Sequence, residues 1–449
     1  MTTEPATEAD SASRDLPPQI KVTPPGPSSR TWLVRHAHVA APMGPALPPG
    51  PPSGIVYATA RGSNVTDVDG NRYVDLAGGF GAQLLGHLHP AVQRVVALQS
   101  ERLLQALGDL YPADAKIALL ERLTRLYPEA GAKGIVAQSG SDAVSAALKT
   151  AVLATGKPGV IAFSSGYHGL GYGPLAACGL RESYRAPFAE QLGHHVSFVQ
   201  YPFDAESVES SLQQCHARLL QGDVGAILIE PVLGRGGVVT PPSGFLAELS
   251  RLARAHLALL VADEIWTGLG RAGSLLTSVS QGVTPDLIVL GKGLGGGLPI
   301  SALIGSSSVM QSWRREAEVV HTSTFAGSPL AASAAIATLD VLSREQLPER
   351  AASLGERFLG ELRGALAGSI LVRDVRGRGF MLGIDLGERP GAASRLMFRL
   401  LRAGYITSTG GGRREVLVLT PPLNIDEGVL FGSISVIVEQ IAALGAEPP

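Results

Sequence analysis

The chain has 449 residues, of which 45% are hydrophobic and 17% are charged. This is enough apolar material for a substantial core, so disorder over the whole length is excluded. Lys plus Arg number 37 and Asp plus Glu number 39, which leaves a formal net charge of −2. A near-neutral chain without a long basic run lacks the electrostatic signature of a nucleic-acid-binding or membrane-surface protein, and neither partner is expected.

The positions of the cysteines and histidines and the lengths of the apolar runs further restrict the kind of protein. Cys178 and Cys215 lie far apart and are typical of reduced thiols in a cytosolic protein. No apolar run approaches the roughly 20 residues of a membrane span, and residues 1–18 lack the apolar stretch of a secretory signal. The ten histidines show no metal-ligand spacing, so no metal is expected. These features predict a cytoplasmic protein.

The first 54 residues differ in composition from the rest. Residues 1–28 predict a disordered tail, Ser29–Ala41 a short helix, and the stretch after it a Pro-rich linker. From Ile55 the pattern becomes regular. Two short strands are joined by a turn at residues 69–71, and a helix runs from the His89-Pro90 pair to about Leu107.

Beyond this helix, short apolar runs alternate with helical patterns. The apolar runs predict strands at 134–138, 160–163, 224–229, 257–262 and 287–290. This alternation favours an α/β fold around a largely parallel sheet, in which ligands bind beyond the carboxyl ends of the strands. The predicted units are a tail and N-terminal segment (1–54), the first part of a small lobe (55–90), a large domain (91–335) and a C-terminal small domain (336–449).

Two glycine-containing motifs follow predicted strands. Ser139-Gly140-Ser141-Asp142 begins a helix, where free backbone N–H groups and the helix dipole favour a phosphate; an ordinary helix cap is the alternative. Gly166-Tyr167-His168-Gly169 offers an aromatic ring that can lie flat against a planar ligand. A tight turn with a surface tyrosine explains this second motif as well.

Two charged motifs follow the next predicted strands. Asp263 and Glu264 come directly after an apolar run, where carboxylates are costly unless they are paired or used in chemistry. A carboxylate there can keep a ring nitrogen protonated, although a structural ion pair explains it equally well. Lys292 stands between glycines after four apolar residues, and burial lowers the pKa of a lysine and makes it a nucleophile. A lysine that reaches the surface is the alternative.

In order and spacing, these four motifs resemble the class III pyridoxal-phosphate-dependent aminotransferases, the group that contains ornithine, 4-aminobutyrate and ω-amino acid transaminases. The spacing from Asp263 to Lys292, 292 − 263 = 29 residues, suits that family. Further matching segments are 67–75, 86–90, 229–237, 263–273 and 322–330. The resemblance covers roughly residues 55–445. It implies the fold-type-I α/β architecture, with a large pyridoxal-phosphate-binding domain and a small lobe built from the N-terminal segment and the C-terminus.

The resemblance also implies a role for individual residues. Lys292 would carry pyridoxal 5′-phosphate as a Schiff base and move the reacting proton, and Asp263 would pair with the pyridinium nitrogen. The remaining cofactor contacts would be the backbone of Gly140 and Ser141 at the phosphate, Tyr167 and Ile265 on the two faces of the ring, and Thr324 at the phosphate of the neighbouring subunit. A homodimer with shared active sites follows from the last contact.

The chain departs from the family at the substrate side. Leu170 and Val418 stand where many members have arginines that grip substrate carboxylates. Trp266 replaces a glutamine near the cofactor hydroxyl.

Glu230 therefore lacks its usual arginine. We expect it either to pair with Arg235, Arg413 or Arg414 or to accept a cationic group of the amine donor. Arg413 is the predicted anchor for the carboxylate of the acceptor.

These observations predict a ping-pong aminotransferase that moves nitrogen from an amine or ω-amino acid to a 2-oxo acid. An aminomutase, a racemase or a decarboxylating aminotransferase with the same cofactor is the first alternative, because related folds host all of them. A non-catalytic binding protein on the same scaffold is the second alternative. The presence of Lys292, Asp263, Thr324 and the phosphate motif argues against it.

Overall fold

The computed structural model describes residues 15–42, 54–314 and 318–446. Its helices are α1 (Pro27–Val39), α2 (Gly78–Gly81), α3 (Pro90–Ser100), α4 (Asp114–Thr124), α5 (Gly140–Thr155), α6 (Tyr172–Ala176), α7 (Glu182–Arg185), α8 (Ala205–Leu219), α9 (Phe245–Ala255), α10 (Thr277–Ser280), α11 (Ser307–Met310), α12 (Pro329–Arg344), α13 (Leu347–Leu366), α14 (Ala392–Arg402) and α15 (Glu427–Gly445). Its strands are β1 (Tyr57–Arg61), β2 (Asn64–Asp67), β3 (Arg72–Asp75), β4 (Lys133–Ala137), β5 (Gly159–Phe163), β6 (Val196–Val199), β7 (Val224–Ile229), β8 (Leu259–Asp263), β9 (Leu287–Leu290), β10 (Ser301–Gly305), β11 (Asp374–Arg378), β12 (Met381–Asp385), β13 (Tyr405–Ile406), β14 (Ser408–Gly410) and β15 (Val416–Leu419).

Seven strands form the central sheet in the order β4-β10-β9-β8-β7-β5-β6. Neighbouring strands from β9 to β6 are parallel, whereas β10 is antiparallel to both of its neighbours. Both faces of the sheet are covered, which is why strands such as β7 are continuously apolar. Ala226 and Leu228 pack in a cluster with α5, and Ile227 and Ile229 pack in another with α8 and α9. The predicted α/β fold is confirmed.

Two four-stranded sheets lie outside this layer, with the orders β1-β2-β3-β13 and β11-β12-β15-β14. The first joins an N-terminal hairpin to the parallel strand β13 near the C-terminus. The predicted hairpin turn at 69–71 is present, but α3 ends at Ser100 rather than near Leu107. The divisions at residues 54, 90 and 335 stay predictions.

The prediction of a disordered tail is wrong for residues 15–28. Gln19 and Arg72 exchange backbone hydrogen bonds of 2.8 and 2.9 Å. The amides of Lys21 and Val22 donate to Asn71 Oδ1, and the amide of Ser28 donates to Asp69 Oδ1. Polar side chains of the hairpin thus capture a segment that has no periodic pattern of its own. Residues 1–14 and the predicted Pro-rich linker at 43–53 lie outside the described residues.

The expectation that no apolar run approaches a membrane span needs correction. Within the described ranges, α15 has the length and composition of a span, with a mean hydropathy of 1.7. In the fold, Leu430, Ile437, Ile441 and Leu444 of this helix are buried, and α15 contacts α13 and α14. One face of α15 therefore packs into the core of the C-terminal region.

Candidate active site

The carboxyl ends of β8 and β9 bring Asp263 and Lys292 into one cavity of about 490 Å³. The two strands are parallel neighbours, with Asp263 beside Val289, so residues that follow them meet at the same edge of the sheet. Nine residues were predicted for the site, and seven of them line this cavity: Gly140, Ser141, Tyr167, Glu230, Asp263, Ile265 and Lys292.

The first turn of α5 forms one end of the cavity. The Ser139 side chain caps the helix by accepting a 3.2 Å bond from the Asp142 amide. The amides of Gly140 and Ser141 donate to no acceptor within the described part of the chain. A Cβ on Gly140 would lie 2.7 Å from Ile265 Cδ1, so a larger residue at this position would force the Ile265 side chain to shift. Free amides at a helix N-terminus form an anion-binding end.

Asp263 is 3% exposed and is held by two contacts. Its Oδ2 lies 2.7 Å from His168 Nδ1, and its Oδ1 accepts a 3.1 Å bond from the Ile265 amide. Burial lowers the pKa of His168, but the hydrogen bond and the charge of Asp263 outweigh it and raise that pKa above the ordinary value. His168 Nε2 is buried and has no hydrogen-bond partner among the residues that the structure describes. The carboxylate is therefore fixed in orientation before any ligand binds.

Lys292 occupies a strained backbone position with φ of +41°. Positive φ is costly for a residue with a Cβ, and such positions cluster at functional sites. Burial lowers the pKa of Lys292 to about 8, and the charge of Arg235 acts in the same direction, although Asp263 and Glu230 oppose it. The Nζ atom lies 4.6 Å from the centre of the Trp266 ring. A larger fraction of this lysine is a free amine near neutral pH than is usual.

Glu230 forms none of the predicted ion pairs. Its Oε1 accepts a 2.8 Å bond from the Tyr167 amide, and its Oε2 accepts a 3.0 Å bond from the Gly234 amide. Burial and the charge of Asp263 raise the pKa of Glu230, although the charge of His168 and these two amides lower it. The sequence predicted an arginine as the partner of Glu230. Backbone amide donors cannot be recognised from the sequence, because every residue except proline carries one.

Thr324 and Arg413 lie outside the cavity of this chain. Thr324 is exposed, and its carbonyl oxygen accepts a bond from Gln105 Nε2. The Arg413 side chain is 74% exposed and pairs with Glu388 at 3.3 Å. The turn at residues 411–414 directs the Arg413 side chain towards the surface, and its role as the anchor for the acceptor carboxylate stays a prediction.

The lining of the cavity also includes His168, Arg235 and Trp266, which were not among the nine predicted site residues. His168 was detectable, since it adjoins Tyr167 in the same glycine-flanked motif. Trp266 packs with Met381, Val418 and neighbouring apolar side chains in a buried cluster. The position of the expected arginine, Val418, thus belongs to an apolar layer behind the cavity wall.

Comparison with known proteins agrees with this geometry. The family model of Aminotransferase class-III matches residues 48–440. Acetylornithine aminotransferase of Methanothermobacter thermautotrophicus is 35% identical over 87% of this chain and 94% of its own length. The 5-aminovalerate aminotransferase of Pseudomonas aeruginosa is 34% identical over 86% and 93%.

Solved structures show the same relationship. An ornithine aminotransferase from Toxoplasma gondii has a TM-score of 0.83 and 27% identity, covering 92% of this chain and 94% of its own. An amine transaminase from an uncultivated Pseudomonas species, with pyridoxal phosphate bound, has a TM-score of 0.82 and 28% identity, covering 90% and 97%. The chain belongs to the class III aminotransferases, and its cofactor is pyridoxal 5′-phosphate.

Proposed function

We propose that the protein transfers an amino group from an amine or ω-amino acid to a 2-oxo acid in a ping-pong reaction on Lys292. One observation carries the proposal: Lys292, Asp263 and the free amides of the α5 turn converge in a single cavity. The family relationship supports the same reaction class.

The residues present fit the cofactor. The free amides of Gly140 and Ser141 suit its phosphate, and the buried Asp263 carboxylate suits its pyridinium nitrogen. The Tyr167 ring and the Ile265 side chain line the cavity and provide apolar contact for its planar ring. The cavity volume lies in the range of ordinary cofactor sites.

Each residue has a defined task in this proposal. Bound pyridoxal phosphate supplies an electron sink that stabilises a carbanion at the substrate carbon. Lys292 Nζ would hold the cofactor, and its amine would carry the proton that leaves the substrate carbon. Asp263 would keep the ring nitrogen of the cofactor protonated, and His168 fixes the orientation of Asp263 through the 2.7 Å contact.

The absorption spectrum of the purified protein tests the proposal. We expect a visible band of the lysine-bound cofactor, which one member of an amine panel bleaches and a 2-oxo acid restores. A band that no amine bleaches, with isomerised substrate and no need for an acceptor, would favour a mutase or racemase. A protein that stays colourless with added cofactor would contradict the enzymatic proposal.

The proposal includes a homodimer with shared active sites. Segments 103–111 and 319–325 expose apolar side chains and touch through Gln105 and Thr324. Such exposed apolar surface is typical of a subunit interface. Thr324 would then complete the phosphate end of the neighbouring cavity. Light scattering should give twice the chain mass, and Thr324→Val should weaken cofactor binding without changing that mass. A monomer would contradict this part.

A cytoplasmic location completes the proposal. Cys178 and Cys215 are buried and free, as expected for a reducing compartment. Cell fractionation should recover the protein, with both thiols reduced, in the cytosolic fraction. Recovery with membranes would contradict this assignment and would favour a membrane-associated role for α15.

A further inference from the structure

Arg235 is a cation in the cavity wall that the proposed reaction leaves unused. Besides Tyr167, five charged or titratable side chains line the cavity: His168, Glu230, Arg235, Asp263 and Lys292. Lys292 and Asp263 are assigned to cofactor binding, and His168 contacts Asp263. Glu230 accepts hydrogen bonds from two backbone amides. Within the described residues, the guanidinium of Arg235 has no carboxylate partner. It lies over the Tyr167 ring, with Cζ 4.9 Å from the ring centre.

The backbone that carries Arg235 is held from two sides. Gly234, the preceding residue, donates its amide to Glu230 Oε2, and the Arg235 carbonyl accepts a 2.8 Å bond from the Gly411 amide. Leu233 and Val239 pair across the base of the same turn. A turn fixed in this way limits the entropy lost when its side chain binds a ligand.

The rest of this wall is apolar. Trp266 and Leu170 line the cavity, and Val418 is 1% exposed in the cluster behind Trp266. Neither position 170 nor position 418 supplies the cation that other family members place there. Arg235 supplies a planar pair of donors, which matches the geometry of a carboxylate.

We propose that Arg235 binds the carboxylate of the 2-oxo acid acceptor. This inference rests on the proposed function and names the residue that recognises its second substrate. In this chain the cation lies on the turn after β7, rather than at the positions that other members use. The same contact serves any donor that carries a carboxylate, whereas a simple amine does without it.

The test compares Arg235→Leu and Arg235→Lys with Arg125→Leu, at an exposed arginine that does not line the cavity. Pyruvate is the acceptor probe, and the half-reaction with a carboxylate-free amine is measured beside it. Loss of a charge-assisted hydrogen bond should raise the KM for pyruvate ~10- to 100-fold in Arg235→Leu. The kcat and the amine half-reaction should change less than about 3-fold, and Arg235→Lys should recover part of the loss.

Calorimetric binding of glutarate, which lacks the reactive carbonyl, separates this inference from the proposed function. Arg235→Leu should weaken glutarate binding by the same factor as it raises KM. Unchanged glutarate affinity and KM would overturn the role of Arg235, and so would a loss confined to pyridoxal phosphate affinity. Wild-type protein that binds glutarate through Arg235 but transfers no amino group would contradict the proposed function and retain the carboxylate site.

Discussion

Two walls of the same cavity are built in different ways. The strand-end wall consists of Gly140, Ser141, Asp263, Ile265 and Lys292, and each of these residues lies within two positions after a strand end or at the start of a helix, as with the α5 turn. Its side chains and amides are fixed by the regular sheet. In the proposed function these residues hold the cofactor, which is common to the family.

The turn wall consists of Leu170, Arg235 and Trp266, and long-range contacts determine it. Arg235 is positioned by a bond to Gly411, and Trp266 packs against Val418. Both partners lie more than 100 residues further along the chain. The comparison suggests that reaction type follows from local pattern, whereas substrate choice depends on tertiary contacts and varies among members.

The largest expected effect concerns the strand-end wall. Lys292→Ala should lower the single-turnover rate of amino transfer by at least ~10³-fold, since it removes the group that we propose attaches the cofactor and moves the proton. Lys133→Ala, at an exposed lysine on β4, is the control and should leave the rate unchanged. Retention of rate within about 10-fold in Lys292→Ala would remove the strand-end wall from the chemistry.

The adjacent carboxylates Asp263 and Glu264 sharpen the comparison within one motif. Asp263→Asn keeps the shape but removes the charge, and the rate should fall by ~10²- to 10³-fold. Glu264 instead accepts bonds from the amides of Thr277 and Ser278 and does not line the cavity. Glu264→Gln should therefore lower the melting temperature with little change in rate. Equal loss of rate in both variants would mean that Asp263 acts only through folding.

A smaller effect links the two walls through pH. Because Lys292 has its pKa lowered to about 8, attachment of pyridoxal phosphate to the cofactor-free protein should speed up about 10-fold from pH 7 to pH 9 and then level off. With a lysine of ordinary pKa, the rate of attachment would continue to rise above pH 9. Arg235→Leu should shift the midpoint up, and Asp263→Asn should shift it down, in absorption-monitored kinetics. If the pH midpoint of cofactor attachment is the same in both variants as in the wild type, the charges of Arg235 and Asp263 do not act on Lys292, which would contradict their placement in one cavity.

The smallest effect is expected at Glu230, which ties the Tyr167 loop to the turn that carries Arg235. Glu230→Gln leaves one of two backbone amides without an acceptor and should lower the free energy of unfolding by ~1–3 kcal/mol. The KM for the 2-oxo acid should rise a few-fold, while donor preference stays the same. Glu248→Gln, at an exposed position on α9, is the control in denaturant titrations. A changed donor preference would revive direct contact between Glu230 and the donor.

Much of the strand-end wall could be predicted because apolar runs mark where strands end. Lys292 and Asp263 follow such runs directly, and parallel neighbours bring them together. The antiparallel strand β10 was not predicted, because its run Ser301–Gly305 begins with serine, ends with glycine and holds only three apolar residues between them. So short an apolar run does not stand out from the sequence around it.

The turn wall could not be predicted because its side chains depend on where distant turns point. Arg413 and Arg235 both follow glycines in irregular segments, yet one pairs with Glu388 at the surface and the other lines the cavity. Glu230 satisfies its charge with backbone amides, which residue identity does not reveal. The tail at residues 15–28 was missed for the same reason, since side chains of the hairpin hold it.

The most direct measurement of the central claim is to reduce the purified, cofactor-loaded protein with borohydride and to map the attached group by peptide mass spectrometry. The account predicts a single pyridoxyl modification on Lys292, which disappears when an amine donor is added before the reductant. Modification of a different lysine, or modification of Lys292 that persists with every donor tested, would contradict an aminotransferase site built on the ends of β8 and β9.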